Sequence, residues 1–458
     1  MVPPATAGQT SPTHARHGTY PEVVNASAST ALLTDRYELT MLQATLRDGT
    51  AQRRSVFEMF ARRLSAGRRY GVVAGIGRIL DALQDFHFGE DELQWLREAE
   101  VVDEATLSWL ADYRFGGSVW GYPDGGLYFP QSPVLIVEGT FAECVILETL
   151  FLSILNHDSA IASAATRMIS AAGGRPCIEM GSRRTHEISA VAAARSAYIA
   201  GFAATSNLEA GRTYGIPTTG TSAHSYTLLH DTEREAFAAQ IRALGPGTTL
   251  LVDTYDIPAA IRTAVDLAGP ELGGVRLDSG DLVSLARTVR SQLDELGATS
   301  TRITVTSDLD EFAIAGLAAA PVDGYGVGTA LVTGSGVPTS GFVYKLVARV
   351  GDDGEMMPVA KKSKDKVSMG GRKHPTRRLG SSGRAQAEVI GIGEPPAHDG
   401  NDRPLLVELV RDGQRAHHET LDDARARLRA ALGELPPSAM QLSRGEPILD
   451  TVYEGAFS

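Results

Sequence analysis

Residues 273–281 read GGVRLDSGD, and residues 301–311 read TRITVTSDLDE. In both stretches a short apolar run ends in small and acidic residues, and a segment with helical spacing follows. Alternation of this kind is typical of parallel strands joined by helical crossovers. Five further runs repeat the pattern between about 175 and 330, which predicts seven strands in all: RPCIEM, GFAAT, GIPTTG, TTLLVD and DGYGVG, with the seven ends near 180, 205, 220, 253, 277, 306 and 326.

Polar residues follow each of these predicted strands. Their position suggests a (β/α) barrel whose site lies at the carboxyl ends of the strands. Seven strands rather than eight predict an irregular closure, and an open doubly wound sheet is the alternative. We expect an additional α+β domain built from N- and C-terminal strands, which are predicted at 55–62, at 118–140 and, after residue 340, in FVYKLVARV, MMPVA, AEVIGI and PLLVELV.

The 458 residues divide into four predicted segments. Residues 1–30 are rich in Ala, Ser, Thr and Pro, which predicts a disordered tail. Residues 31–140 are predicted to form an N-terminal α+β domain, and 141–340 the barrel. Residues 341–458 are predicted to form a β-rich and helical segment that packs with the N-terminal domain. Helices are expected from about 34, over most of 71–112, at 142–155 and 158–171, and near 420–432.

The charge pattern argues against two classes of partner. Lys and Arg total 43 against 55 Asp and Glu, a formal net charge of −12. A general nucleic-acid or anionic-membrane binder needs a basic surface, so we predict neither partner. The most apolar stretch, Phe141–Leu155, contains two glutamates and is shorter than the ~20 residues of a membrane span. Residues 361–378 hold eight Lys or Arg and one Asp, a local charge of +7, consistent with a solvated loop or an anion-steering flap.

The cysteine content indicates a reducing compartment. Cys144 and Cys177 are too few for a disulfide framework or a zinc cluster. No apolar secretory segment is visible near the N-terminus. We therefore expect a cytoplasmic protein.

Residues 220–225, GTSAHS, lie at the end of a predicted strand. A histidine among small hydroxyl residues can exchange protons or act as a nucleophile near neutral pH, so His224 is a candidate catalytic residue. A hydrogen-bonded structural histidine is the alternative. Ser222 is not predicted to be a hydrolase nucleophile, because His224 stands where a nucleophile elbow requires glycine.

Arginines near predicted strand ends indicate an anionic ligand. Arg183 and Arg184 follow the first barrel strand, and Arg276 lies near the end of another. A guanidinium binds planar oxyanions through two hydrogen bonds, although a surface ion pair is the alternative.

Acidic and glycine residues follow other predicted strands. Asp278 and Asp281 could hold hydroxyls or a Mg²⁺ water shell, while Asp278 or Ser279 is expected to cap the next helix. The segment 307–311, SDLDE, could likewise either bind hydroxyls or a Mg²⁺ water shell or cap a helix. Residues 326–329, GVGT, could form an anion-binding nest of backbone amides. These features together predict a phosphorylated, Mg²⁺-bound substrate.

Nine segments, in order between about 30 and 350, together resemble the nicotinate phosphoribosyltransferase family. The resemblance implies an irregular (β/α) barrel of the type II phosphoribosyltransferase kind. The basic segment KKSKDKVSMGGRK also resembles a loop of that family. The nine segments are LLTDRYELTM (32–41), VFEMFARR (56–63), EMGSRRTH (179–186), AYIAGFAATSNL (197–208), GTSAHS (220–225), LLVDTYDI (250–257), GVRLDSGDL (274–282), TSDLDE (306–311) and GVGTALVTG (326–334).

This resemblance implies an activity. The enzyme would join nicotinate and 5-phosphoribosyl 1-pyrophosphate to give nicotinate mononucleotide and pyrophosphate, in the salvage (Preiss-Handler) route to NAD. Mg²⁺ would be the cofactor and ATP a co-substrate, with its hydrolysis coupled through a phosphohistidine. The resemblance also implies a homodimer with shared active sites.

Residue by residue, the resemblance implies roles for ten positions and assigns no metal ligand. His224 would be the phosphohistidine. Tyr37 would stack on nicotinate, from a neighbouring subunit, and Thr221 and Arg276 would contact it. Arg276 or Arg183 would bind its carboxylate. The remaining residues would bind phosphoribosyl pyrophosphate: Asp278 and Ser307 at the ribose or the Mg²⁺ shell, and Gly326, Gly328 and Thr329 at the 5′-phosphate.

Two other functions are weighed against this one. Quinolinate phosphoribosyltransferase shares the barrel, but it needs more cationic groups for a second carboxylate and leaves GTSAHS unexplained. A catalytically silent sensor of the NAD pathway would be free to lose His224, Arg276 and 326–329, and all of these are present.

Overall fold

The computed structural model describes residues 29–361, 369–398 and 400–455. The predicted tail at 1–30 therefore lies almost wholly outside the described residues. So does 362–368, the lysine-rich part of the basic segment.

The central element is a sheet of six parallel strands. Its strands are short, mainly apolar runs, and side chains such as Leu250, Val275 and Ile303 are fully buried because helices and loops cover the sheet. The strand order differs from the chain order, since the first strand of this sheet along the chain lies between the second and the last. From one edge to the other the strands are Ala204–Thr205, Cys177–Glu179, Gly324–Val327, Arg302–Val305, Gly274–Leu277 and Thr249–Leu251.

The prediction of seven strands was wrong by one. The run GIPTTG contributes only an isolated bridge between Thr205 and Thr218. Pro217 has no amide hydrogen to donate to a ladder, although its carbonyl accepts from Thr205 N at 3.0 Å. The edge strands Ala204–Thr205 and Thr249–Leu251 have no strand pairing with each other. Within the described residues the sheet is therefore a parallel half-barrel.

Helices follow the parallel strands and usually begin at a side-chain cap. Asp281 caps Leu282–Glu295 by accepting from Ser284 N at 3.3 Å. The expectation that Asp278 or Ser279 would be this cap was wrong, because four residues separate the strand end at Leu277 from the helix. The other helices of this unit are Glu187–Ala200, Leu208–Tyr214, His224–Leu228, Glu233–Leu244, Ile257–Ala268, Glu311–Gly316 and Thr329–Val332.

Strands from both ends of the chain share a second sheet of seven strands. Arg54–Ala61 pairs antiparallel with Phe342–Val350 on one side and Leu135–Thr140 on the other. Phe57 stacks on Tyr344 with 4.9 Å between ring centroids. The remaining strands of this sheet are Met356–Pro358, Ser118–Gly121, Val407–Arg411 and Gln414–Arg415, and a two-stranded sheet pairs Gly71–Val72 with Leu127–Tyr128.

The C-terminal part contacts both units. Arg425, on helix Leu421–Glu434, donates to Phe202 O at 2.9 Å, and its guanidinium lies 4.0 Å from the centre of the Tyr198 ring. This helix therefore packs on the parallel-sheet unit. A four-stranded sheet accompanies it, formed by Arg403–Pro404, Lys373–Leu379, Ala385–Ile392 and Asp450–Glu454.

One long helix replaces the two predicted at 142–155 and 158–171. Helix Glu148–Ala172 runs through the expected break, after the short helix Phe141–Val145. Asn156 remains helical while its side chain bonds the backbone of Phe342. Local helix propensity does not reveal this distant contact. The segment Phe141–Ala172 is long and apolar enough to span a bilayer, but 67% of its apolar window is buried, as in core helices.

The N-terminal helices match their expected places. The helix expected near Thr34 is Arg36–Asp48. The region 71–112 is mostly helical as predicted, with breaks near Gly89 and Val101. Its helices are Ile76–Gln84, Glu90–Glu98 and Glu104–Ala111.

Candidate functional site

A cleft of about 230 Å³ lies at the carboxyl ends of the parallel strands. Seven of the ten predicted site residues line it, although they come from four separate segments of the chain. The lining residues are Met180, Arg183, Arg184, Arg276, Asp278, Thr306, Ser307, Asp308, Gly326, Gly328 and Thr329.

Two exposed arginines lie at one wall of this cleft. Arg183 and Arg184 lie in the short 3₁₀ turn Ser182–Arg184 and are exposed. Neither guanidinium has an ion-pair partner in the described parts of the chain. Both can therefore bind an anionic ligand without breaking a contact within the protein.

Arg276 is held by the loop 220–225. Its Nη1 donates to Thr221 Oγ1 at 2.7 Å, and its Nη2 donates to Ser222 O at 2.9 Å. Burial lowers the pKa of the guanidinium, while Asp278 and Asp253 act in the opposite direction. Arg276 Nε is buried without a hydrogen-bond partner among the described residues. Thr221 therefore does not line the cleft itself, but it bonds Arg276, which does.

His224 is oriented by a carboxylate for which the sequence predicted no role. His224 Nε2 lies 3.2 Å from Asp253 Oδ1. Asp253 Oδ2 accepts hydrogen bonds from Asp278 N and Ser279 Oγ, both at 2.9 Å. The Asp253 side chain is only 1% exposed. The sequence feature that could have identified Asp253 is its place at the end of the run TTLLVD, equivalent to that of Asp278 at the end of GGVRLD.

Ser307 adopts an unusual backbone conformation at the cleft. Its φ is +134°, a value that residues other than glycine seldom adopt. The preceding residue, Thr306, donates its hydroxyl to Asp278 Oδ1. This bond orients the Asp278 carboxylate at the point where Ser307 and Asp308 open to solvent.

Gly326 allows the last strand to approach its neighbours closely. A Cβ at this position would lie 2.5 Å from Thr306 Cγ2 and 2.7 Å from Met180 Sδ. Gly328 is the N-cap of the short helix Thr329–Val332. The cleft therefore has a wall of backbone between Gly326 and Thr329, as an anion-binding nest requires.

Glu179 is a second residue with no predicted role. It is fully buried at the end of the first strand of the unit, and burial raises its pKa. Its carboxylate accepts hydrogen bonds from Thr205 Oγ1 and Gly181 N. These bonds tie the turn that carries Arg183 to the edge strand.

The structure does not bring Tyr37 to the cleft of its own chain. Tyr37 lies on helix Arg36–Asp48 and is 45% exposed. Burial and the nearby carboxylates of Glu148 and Glu38 raise its pKa to about 12. The ring is therefore neutral at physiological pH and available on the surface.

Metal ligands are sparse in the part of the chain that the structure describes, where no group of three or more His, Cys, Asp or Glu could hold an ion. Asp278 and Asp308 both line the cleft. Carboxylates in this number suit Mg²⁺, which keeps several waters and shares substrate phosphates rather than using an all-protein cage.

Similarity to known proteins identifies the family of this chain. The family model described as the nicotinate phosphoribosyltransferase N-terminal domain matches residues 32–156. Nicotinate phosphoribosyltransferase pncB1 of Mycobacterium tuberculosis is 57% identical over 429 residues, covering 92% of this chain and 94% of that protein. This chain belongs to the nicotinate phosphoribosyltransferase family. The resemblance noted from the nine segments is thereby confirmed.

Other members of the family, and their structures, agree. A nicotinate phosphoribosyltransferase of Bacillus subtilis is 36% identical, covering 81% of this chain and 78% of that protein. The crystal structure of human nicotinic acid phosphoribosyltransferase superposes with a TM-score of 0.79 at 27% identity, covering 92% and 97% of the two chains. A nicotinate-nucleotide pyrophosphorylase from Pyrococcus furiosus shares the fold, with a TM-score of 0.74 at 22% identity, covering 92% and 99%.

Proposed function

We propose that this family member transfers the phosphoribosyl group of 5-phosphoribosyl 1-pyrophosphate to nicotinate, giving nicotinate mononucleotide and pyrophosphate. The observation that carries the proposal is the single cleft in which Arg183, Arg276, Asp278 and the backbone at 326–329 converge. Every proposed ligand is an anion, and the cleft offers unpaired cations and a glycine wall. A reaction of this kind requires mainly positioning and charge stabilisation from the protein.

Nicotinate binding is proposed at Arg276 and Arg183. Arg276 is already oriented by Thr221 and Ser222, so little side-chain freedom is lost when its remaining donors meet the carboxylate. Nicotinamide lacks that charge. Leaving a buried charge unpaired costs about 2–5 kcal/mol, enough to discriminate strongly between the two bases.

Phosphoribosyl pyrophosphate is proposed to lie along the opposite wall. The 5′-phosphate would meet Gly326, Gly328 and Thr329, while Asp278 and Ser307 would bind the ribose or the waters of Mg²⁺. The bond between Thr306 and Asp278 supports this role, because it holds one carboxylate oxygen in a defined position. Bound Mg²⁺ would neutralise charge on the departing pyrophosphate.

ATP coupling is proposed to proceed through His224. If Nε2 carries the proton that Asp253 accepts, Nδ1 presents a lone pair. That nitrogen would attack the γ-phosphorus of ATP, forming an N–P bond while the bond to the ADP oxygen breaks. The charged phosphohistidine would then lie on the loop that also holds Arg276, so phosphorylation would act directly on the base site.

The exposed Tyr37 supports a homodimer, in which the ring of one protomer would stack on nicotinate in the cleft of the other. We place the reaction in the cytoplasm, within the salvage (Preiss-Handler) route to NAD.

Turnover tests the proposal directly. The protein is incubated with phosphoribosyl pyrophosphate, Mg²⁺ and nicotinate, nicotinamide or quinolinate, with and without ATP, and products are identified by mass. We expect nicotinate mononucleotide, formed faster with ATP. Product from quinolinate alone, or no product from any base, would contradict it.

A variant separates chemistry from coupling. His224→Ala is expected to lose ATP stimulation and phosphate incorporation while slow transfer without ATP persists. His230→Ala is the matched control, because His230 contacts Tyr226 just after the same short helix and does not line the cleft. Full ATP stimulation in His224→Ala would remove the proposed role of His224.

A further inference from the structure

A second cavity, of about 340 Å³, shares no lining residue with the parallel-sheet cleft. It sits between the turn at 122–127, the four-stranded sheet and the C-terminal helix Leu421–Glu434. Three arginines line it, and no Asp or Glu is among the described lining residues, so we call it the arginine cavity. Its lining is Tyr122, Pro123, Gly126, Leu127, Arg377, Arg403, Pro404, Leu405, Val407, Arg427 and Ala431.

Each of these arginines uses a single terminal nitrogen for its contacts within the described chain. Arg377 Nη2 donates to Leu127 O at 3.1 Å and to Glu388 at 2.8 Å. Arg403 Nη2 donates to both carboxylate oxygens of Glu434, at 2.8 and 2.6 Å.

Arg427 follows the same pattern. Its Nη1 donates to Asp124 O at 2.5 Å and to Glu419 at 2.6 Å. Glu419 does not line the cavity, and neither do the carboxylate partners of the other two arginines. The three arginines therefore line this space, whereas the carboxylates paired with them do not.

Arg377 is the strongest indication of a ligand. Its side chain is 1% exposed, and its guanidinium lies 5.1 Å from the centre of the Phe129 ring. Arg377 Nε and Nη1 are buried and have no hydrogen-bond partner among the described residues. Buried donors of a charged group are costly when unpaired, so structures seldom leave two of them on one side chain.

The remaining lining residues indicate that the rest of the ligand is apolar. Pro123, Leu127, Leu405, Val407 and Ala431 give the cavity an apolar surface beside the arginines. Its volume falls in the range of pockets that take small molecules. We propose that the arginine cavity is a second ligand site, for a small molecule that carries one phosphate or carboxylate group on a compact apolar body.

A bound anion would join three parts of the chain. Leu127 belongs to the N-terminal unit, Arg377 to the four-stranded sheet and Arg427 to the C-terminal helix. That helix contacts the parallel-sheet unit through Arg425. Occupancy is therefore expected to raise the Tm of the whole protein, because the ligand binds only the assembled fold.

Calorimetric titration of the full chain tests the site, with phenyl phosphate and benzoate as the phosphate and carboxylate probes. Arg276→Gln serves to weaken anion binding in the parallel-sheet cleft, so that binding elsewhere is measured. In that background Arg403→Gln is expected to weaken the better probe about tenfold, since a charge-assisted hydrogen bond is lost. Arg403 is 41% exposed, so this variant should fold.

Arg384→Gln is the matched control, because Arg384 bonds carbonyls of Gly433 and Leu435 beside the same helix but does not line the cavity. It should leave probe affinity unchanged. Crystals of the wild-type protein soaked in excess selenate provide a test without any variant: an anomalous selenium peak beside Arg377 is expected. An empty cavity under selenate, or equal probe affinity with and without Arg403, would overturn the proposal.

Discussion

His224 Nε2 lies 3.2 Å from Asp253 Oδ1, and the other oxygen of the same carboxylate holds Asp278 N and Ser279 Oγ. One buried aspartate thus links the proposed phosphohistidine to the loop that carries the proposed ribose or Mg²⁺ residue. A change of charge on the imidazole therefore acts on that loop through the Asp253 carboxylate. The link offers a physical route for coupling ATP hydrolysis to substrate binding.

Replacing Asp253 with Asn tests this link. The amide retains the shape, but it can stabilise the wrong histidine tautomer and cannot balance a charged ring. We expect ATP-dependent phosphate incorporation to fall at least about tenfold, with a smaller loss of ATP-independent transfer.

The matched control is Asp256→Asn on the neighbouring loop. Asp256 caps helix Ile257–Ala268, and Asn caps equally well, so this variant should behave like the wild type. Equal losses with and without ATP in Asp253→Asn would show a merely structural role for Asp253.

Arg276→Lys tests the base site. Lysine keeps the positive charge but cannot bond Thr221 and Ser222 while also meeting a carboxylate. We expect kcat/KM for nicotinate to fall by roughly thirtyfold, equivalent to about 2 kcal/mol, with much less effect on residual nicotinamide turnover.

Arg302→Lys is its control. Arg302 lies on the neighbouring strand, at the end away from the cleft, and its Nε bonds Gly273 O. It should change neither rate. An unchanged ratio of nicotinate to nicotinamide turnover in Arg276→Lys would contradict the role proposed for Arg276.

Gly326→Ala tests the backbone wall of the cleft. The new methyl group would approach Thr306 and Met180 within 2.7 Å, which forces the strand end to move. We expect a loss of about 1–3 kcal/mol in the free energy of unfolding and a higher KM for phosphoribosyl pyrophosphate.

Gly316→Ala controls for the loss of a glycine, because a Cβ there meets nothing within 4 Å. It should be neutral or slightly stabilising in a thermal melt. A Gly326→Ala protein with unchanged Tm and KM would show that this wall is more plastic than the structure indicates.

Glu58 and Lys373 predict a pH dependence of stability. Their side chains form a buried pair with Nζ and Oε2 2.6 Å apart, and burial raises the pKa of Glu58 to about 7. The folded state then binds more protons than the unfolded state between about pH 4.5 and 7. The contribution of Glu58 to stability therefore falls as pH rises through that range, and it stays reduced above it.

Glu58→Gln removes this titration. The free energy of unfolding of the wild type, minus that of the variant, should decline across that range by at most about 1.4 kcal/mol per pH unit. Chemical denaturation at several pH values measures it. The exposed Glu98→Gln is the control, and a difference that rises with pH would reverse the assignment.

Local sequence patterns predicted most of the secondary structure and much of the cleft. Short apolar runs with polar ends are visible in the chain, and helix Arg36–Asp48 and helix Leu421–Glu434 lie where their spacing placed them. The errors arose where contacts overrode local preference. Asn156 stays in a helix because it bonds a distant strand, and Pro217 reduces a predicted strand to a bridge.

The sequence by itself predicted seven of the residues that line the cleft, because parallel strands bring their carboxyl ends to the same edge of a sheet. It also determined the family, through motifs in a fixed order. Only the tertiary structure decided what the aspartates do: Asp253 orients His224, Asp278 accepts from Thr306, and Asp281 caps a helix. Asp253 and Asp278 follow strands in the same local pattern. Their roles differ because hydrogen bonds depend on partners that folding brings together from distant parts of the chain.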